Sequence, residues 1–167
     1  MKTYIIDGNN LLHKNPVWHS LHGRAPHDAA QALIFSLENF SKKFSSYRIE
    51  VFFDGNEGAP KTAQKNIFIH TASHADTAIK ERIKKISSTV TFFVVSSDTE
   101  VHNFARIHGC TVQSSENFLS ELKKISSEMS SPSGKNFSPE KGKRPDKPQG
   151  VSKEEIKRMK KLFGLDD

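Results

Sequence analysis

The chain has a single cysteine, Cys110, among 167 residues. That excludes an intramolecular disulfide and any zinc site built from several thiolates, and makes a reducing cytoplasm the expected compartment. No apolar run approaches the roughly 18 residues that a membrane span requires. The first residues are not expected to be a secretory signal, because Met1-Lys2 passes at once into Tyr4-Ile5-Ile6 and then Asp7. Apolar content is low, at 35%, and aromatics other than phenylalanine are scarce: one Trp and two Tyr stand against twelve Phe. The core must therefore lean on phenylalanine. Internal repeats are missing. So is the Gly-x-Gly-x-x-Gly turn that lets backbone approach a pyrophosphate, since Asp7-Gly8-Asn9-Asn10 does not supply it, and a dinucleotide binder is disfavoured.

Charge is present but unevenly placed. The net of +6 divides into +2 over residues 1–131, with 15 Lys/Arg and 13 Asp/Glu, and +4 over residues 132–167, with 10 and 6. A nearly balanced body with a basic tail suits attraction to nucleic-acid phosphates, although such tails are also ordinary solvated linkers.

Strand-like runs alternate with helical patterns, which predicts an α/β protein with a parallel sheet. Strands are expected at Thr3–Ile6, Arg48–Phe53, Ile67–His70, Val90–Val95 and Cys110–Val112, the fourth fully buried. Helices are expected from about Asp28 to Ser45 (Leu33, Leu37, Phe40 and Phe44 inward), from about Ala75 to Ser87 (Ile79, Ile83, Ile86), from Asp98 or Thr99 to about His108 with Gly109 as its stop, and from Ser115 to Glu128. Residues 55–65, with Gly58, Pro60, Lys61 and Lys65, read as a polar loop. Residues 1–129 form the expected domain, and 130–150, rich in Ser, Pro, Lys and Gly with a lone Phe137, the expected flexible linker. In 151–167, Ser152 and Glu155 form a capping box opening a short amphipathic helix, with Ile156, Met159, Leu162 and Phe163 on one face and Gly164 as its stop. Docking back onto the domain is the preferred fate of this helix, insertion into a partner such as the ribosome the other.

Three of the expected strands end in aspartate: Asp7, Asp54 and Asp98. In an open parallel sheet, ligands bind beyond the carboxyl ends of the strands, so these acids should converge. Asp76 joins by another route, in the first turn of its helix, three residues before Ile79 and seven before Ile83, at the edge of the inward face. Each has a structural reading: Asp-Gly is common turn chemistry, Asp98 is a helix cap, and Asp76 complements a helix dipole. Four carboxylates at one sheet edge nevertheless call for a cation, and magnesium or manganese, which prefer oxygen, are the natural occupants. Asn10, Ser96, Ser97 and Thr99 are placed to orient the acids. The chemistry this suggests is metal-assisted phosphoryl transfer.

Four segments, in order, resemble a known family. Ile5-Ile6-Asp7-Gly8-Asn9-Asn10-Leu11-Leu12 is similar to the opening of NYN domains, a branch of the PIN-like nucleases, and Val51-Phe52-Phe53-Asp54-Gly55 to their second strand. Ala75-Asp76-Thr77-Ala78-Ile79 resembles their Ala-Asp-x-x-Ile helix start, and Val94-Val95-Ser96-Ser97-Asp98 their Ser-x-Asp strand end. Order and spacing most resemble the YacP-like NYN proteins of bacteria, over roughly residues 1–128. The resemblance implies a three-layer α/β/α sandwich around a central parallel sheet and RNA cleavage assisted by magnesium or manganese. It also implies Asp7, Asp76 and Asp98 as metal ligands, Asn10 as a brace, and Asp54 as an acid or turn residue whose role varies. Asn9 departs from the family, where tyrosine is common.

The expected protein is thus a cytoplasmic endoribonuclease, with RNA as its partner and the ribosome as a further candidate. The alternative is an RNA- or ribosome-binding module of the same fold without turnover. A flap-nuclease-like DNA enzyme is disfavoured by the short chain. Lys61, Lys65, Arg24 and Lys80, with Ser97 and Thr99, are candidates for substrate contact. Trp18 reads as a base-stacking residue or as packing. The eight His, among them His70 with His74, His19 with His22, and His13 and His27, lack Cys partners and read as surface or supporting residues rather than as a zinc site.

Overall fold

The computed structural model describes residues 1–55, 59–86, 90–131 and 153–164. Five parallel strands form one sheet: β1 (Lys2–Asp7), β2 (Arg48–Asp54), β3 (Ile67–Ala72), β4 (Thr91–Val95) and β5 (Thr111–Gln113), ordered β3-β2-β1-β4-β5. The helices are α1 (Gly8–Lys14), α2 (Pro16–Arg24), α3 (Pro26–Lys43), α4 (Ala75–Lys84), α5 (Thr99–Ile107), α6 (Ser115–Ser130) and α7 (Lys153–Leu162). No described helix is long and apolar enough to cross a membrane.

The alternation of strand side chains explains the three layers. Along β1, Tyr4 and Ile6 enter one core with Leu33, Leu37 and Phe40 of α3 and Phe118 of α6. Ile5 enters the other, with Ile79 and Ile83 of α4 and Val101 and Ala105 of α5. Phenylalanine fills the first core as the composition requires. Tyr4 stacks on Phe93 at 4.9 Å and meets Phe40 edge-on at 5.3 Å. β1 is central and covered on both faces; β3 is an edge.

The structure departs from the sequence reading at four points. Residues 8–24, left without elements above, form α1 and α2. Asn15 joins them, its Oδ1 accepting from the Val17 and Trp18 amides, with Pro16 in the first turn of α2. β3 runs on to Ala72, because β2 continues to pair with it up to Asp54. β4 is not fully buried: Thr91 is exposed and Phe93 half-buried. The edge strand β5 begins one residue later than expected, at Thr111. Of the two readings of Trp18, packing holds: it is only 2% exposed, and its indole N–H donates to the Leu162 carbonyl at 2.7 Å.

That last bond also places α7. The helix lies against α2 and α3, with Phe163 tilted against Phe35 at 5.4 Å and Gly164 (φ +62°) beside Asn15. Gly58, Ser87, the linker from 132 to 150 with Phe137, and the Ser152–Glu155 capping box lie outside the described residues or side chains.

Candidate active site at the sheet switch point

The chain leaves β1 toward β2 on one side and returns from β3, through α4, to β4 on the other. The carboxyl ends of β1 and β4 therefore flank a crevice of the kind in which open α/β sheets bind ligands. Asp7 closes β1 and Asp98 follows β4 by three residues.

Each acid is fixed by the start of a helix. Asp7 caps α1, Oδ1 accepting from the Asn10 amide at 3.2 Å, while Oδ2 accepts from the Ser96 hydroxyl at 3.1 Å. Asp98 caps α5, Oδ1 accepting from the Val101 amide at 3.0 Å. Asp54, at the end of β2, reaches the start of α4 and accepts from the Ala75 amide at 2.6 Å. Asp76 stands in the first turn of that same helix. The cap read for Asp98 and the first-turn place read for Asp76 are thus realised, while Asp7 and Asp54, read as turn residues, also bond the starts of helices. They coexist with convergence, because a helix that begins at the carboxyl edge of a parallel sheet points its N-terminal dipole there.

The electrostatics of the four acids are shared. Burial, at 4% exposure, pushes the Asp7 carboxyl up to about 6, with Asp76 and Asp54 adding to the rise and the Asn10 and Ser96 hydrogen bonds opposing it. Asp76 is also raised, by loss of solvent at its carboxyl and then by Asp98 and Asp54, although the residue as a whole is exposed; Lys80 opposes the rise. Like charges held this close favour either a proton or a cation. The donor set is all oxygen, and Asp76 and one oxygen each of Asp54 and Asp98 are outside the capping bonds. Among the described residues no three acidic, histidine or cysteine side chains already converge as a closed ligand set. The acids nevertheless feel one another's charge at this edge, and carboxylate oxygen is the donor that magnesium and manganese prefer. The residues fit a hard divalent cation.

Asn10 ties three elements together. Its Oδ1 accepts from the Ser97 amide at 2.9 Å and from the Ser115 hydroxyl at 2.6 Å, joining α1 to the exit of β4 and the start of α6. Asn9 holds the opposite flank, its Oδ1 accepting from the Asp54 amide at 2.8 Å. Ser97 donates to Glu116, which also pairs with Lys14 at 3.3 Å. Ser115, Glu116 and Lys14 did not emerge from sequence reasoning as parts of this edge, and Asn9 did so only as a departure from the family's tyrosine. Gly8 is required by closeness: a Cβ there would lie 2.6 Å from the Phe53 ring and 2.8 Å from the Phe52 carbonyl.

The cations divide. Lys80 is close to the acids, paired with Glu100 of α5. Lys61 lies in the loop after β2, its backbone clasped twice by the Gln31 side chain at 2.8 and 2.9 Å. Lys65 stands two residues before β3 and so at the opposite edge of the sheet, away from the acids. Arg24 lines a groove against α7 with Leu162 and Arg158. Thr99 opens α5 beside Asp98 and is exposed.

An all-parallel five-stranded sheet between two helical layers, with acids at its switch point, is a PIN-like nuclease fold. Residues 4–164 match the YacP-like NYN domain, and the chain belongs to that family. The solved structure of Rae1 (YacP) from Bacillus subtilis is similar, with TM-score 0.65 and 20% identity over 77% of this chain and 78% of that one. A point mutant of the same protein gives TM-score 0.64 and 18% identity over 77% and 79%. No curated protein matches the sequence.

Proposed function

We propose that the protein is a metal-dependent endoribonuclease that hydrolyses RNA phosphodiester bonds at this edge. The observation that carries the reading is the gathering of Asp7, Asp54, Asp76 and Asp98, with Asp7 held near a pKa of about 6 inside the cluster. Asp7, Asp76 and Asp98 would hold Mg2+ or Mn2+, with Asp54 at the rim. A divalent ion so bound polarises a phosphate oxygen and makes water a competent nucleophile near neutral pH. The rest falls to the chain. Ser96 and the Asn10 amide fix both oxygens of Asp7, so that its carboxylate keeps one orientation. Asn10 holds the Ser97 backbone and thereby the entry to Asp98. Lys80 and the exposed Thr99 are placed to meet a phosphate oxygen.

Membership of a PIN-like family supports a nuclease-type hydrolase. The basic tail supports the alternative, an RNA-binding module without turnover and with RNA or the ribosome as its partner. The two part on one experiment: a mixed pool of single-stranded and structured RNA in manganese, with wild type compared against Asp98→Asn. Asparagine is an equal N-cap, so the fold is kept while one ligand charge is removed. Manganese-dependent cutting by wild type and a loss of about a hundredfold or more in the variant are expected, the scale of losing one main electrostatic contributor to a transition state. Equal cutting by both places any activity elsewhere; RNA binding without cutting by either favours the binding module.

A further inference from the structure

A second constellation lies beside the acids and is made of imidazoles. α1 and α2 meet at the single residue Asn15, whose side chain caps α2 through the Val17 and Trp18 amides. The elbow is therefore rigid. It sets His13, in the last turn of α1, against His19 and His22, which lie one turn apart on α2 and so share a face. The ring centroids of His13 and His19 are 5.2 Å apart and those of His13 and His22 5.5 Å. Nδ1 of His13 is 3.0 Å from Nδ1 of His19.

Two ring nitrogens that close share one proton, one ring donating and the other accepting. Burial and the neighbouring His22 and His19 hold the His13 pKa below its ordinary value, with Asp54 opposing. Neutral imidazole is the form that ligates metals. Two nitrogens on a tetrahedral zinc ion, at about 2.0–2.1 Å each, stand roughly 3.3 Å apart, so the pair needs to open by only a few tenths of an ångström. As they stand, no three such side chains among the described residues are grouped closely enough to hold a metal ion, so the site forms only when the pair opens and a third ring turns in. His22, half-exposed with its ring centroid 5.5 Å from that of His13, would complete the site by a side-chain rotation.

We infer that His13 and His19, with His22 as third ligand, bind a borderline transition-metal ion such as Zn2+ or Ni2+ at the rim of the acidic cleft. The site is separate from the carboxylate cluster and differs from it in ligand class. Imidazole selects zinc, nickel and copper, whereas carboxylate oxygen suits magnesium and manganese. An ion bound there would set positive charge beside Asp54, whose field His13 already feels. This inference does not depend on the nuclease reading.

The test titrates the full chain with Ni2+, and separately with Zn2+, by calorimetry in excess magnesium, which saturates the carboxylates. One ion per chain is expected. The His13→Gln/His19→Gln variant, altered only at exposed positions, should bind at least about tenfold more weakly, since even indirect supporting contacts cost that much in metal sites. His108→Gln, on the far side of α5, and Asp7→Asn/Asp98→Asn should bind as wild type does. Unchanged affinity in the double histidine variant overturns the inference. So does loss of the ion in the double aspartate variant, which would assign it to the acids, and so does a wild type that binds neither metal in magnesium.

Discussion

Asp7 carries the sharpest conflict in the molecule. It is almost fully buried, caps a helix, and is held at about 6 against an ordinary value of 3.8. At about 1.4 kcal/mol per pH unit, its ionised form opposes folding by on the order of 3 kcal/mol. The folded pKa lies above the unfolded one, so folding favours the neutral acid. This contribution to stability is complete below about pH 4 and is lost as pH rises through about 6. Asparagine preserves the cap and can still meet the Ser96 hydroxyl without bearing charge. Asp7→Asn should therefore be more stable than wild type at pH 8, by up to about 3 kcal/mol, with the difference closing toward pH 3.5. Urea denaturation across pH without divalent ions would show it. A wild type more stable than the variant at pH 8 would mean that Asp7 meets no net penalty. Magnesium or manganese should stabilise wild type more than the variant if the ion sits among the acids. This residue was legible in the sequence because a strand ending in Asp at the carboxyl edge of a parallel sheet has few other places to point. Its own partners, Asn10 and Ser96, were legible with it, but the bonds one step further out were not. Asn9 meets Asp54 across 45 residues and Ser115 meets Asn10 across 105, and a polar residue in a turn carries no mark of a partner so distant.

At the scale of elements, α4 is the part most exposed to error, because it brings Asp76 and Lys80 to the site from beyond the edge strand. A buried ion network fastens it. Glu50 of β2, 1% exposed, receives Arg82 Nε at 2.6 Å and Nη2 at 2.8 Å, and Arg48 Nε at 2.7 Å. Burial pushes the Glu50 carboxyl upward, but the two guanidinium groups outweigh it and hold the group below the usual carboxylate range. His70 stands at 3.8 Å, too far for a hydrogen bond. Burial and the same arginines push its pKa below the ordinary value, with Glu50 opposing, and the ring stacks on Phe52 at 4.6 Å. Removing one partner from a buried network leaves a charge uncompensated, at a cost of roughly 3–5 kcal/mol. Arg82→Met should lose an amount near the lower end, since Arg48 remains, and Glu50→Met/Arg82→Met should recover part of it. Denaturant midpoints decide the matter: a loss under about 1 kcal/mol in the single variant would make this a surface pair in energetic terms. The sequence revealed the elements with strong periodicity and hid those without. β1, β2, α3, α4, α5 and α6 appear within a few residues of their expected limits. α1 and α2 span seven and nine residues, too short to display a helical repeat, and only Asn15-Pro16, a capping residue before a first-turn proline, could have marked the second. Lys65 was grouped with the site because it follows Asp54 in sequence. The parallel pairing of β2 and β3 sends that loop back to the far edge.

Over the whole molecule, the question is what α7 adds to a domain whose acids are complete without it. Its docking is legible in retrospect from the spacing of Leu162 and Phe163, but Trp18 and Phe35, the residues that receive them, belong to helices α2 and α3 that face other elements as well. The dock is shallow. Ile156, Met159 and Leu162 stay 44%, 57% and 43% exposed, so apolar burial alone does not account for the helix. Its other property is charge. Lys157, Arg158, Lys160 and Lys161 are exposed, and none forms an ion pair among the described residues, whereas Lys14, Lys43, Lys80, Lys84, Arg48 and Arg82 of the domain are all paired with acids. Docking thus sets a group of exposed cations on a body of nearly balanced charge. If RNA crosses this face, each lysine that neutralises a phosphate contributes about 0.7 to the slope of log affinity against log salt for a single strand. Lys157→Gln/Lys160→Gln should then lower that slope by about 1.4 while leaving the thermal midpoint unchanged, because both side chains are exposed. Fluorescence anisotropy with a labelled single strand, over a range of salt concentrations and with Asp98→Asn as background to prevent cutting, measures it directly. An unchanged slope would route the RNA away from α7 and leave the helix a structural brace for Trp18.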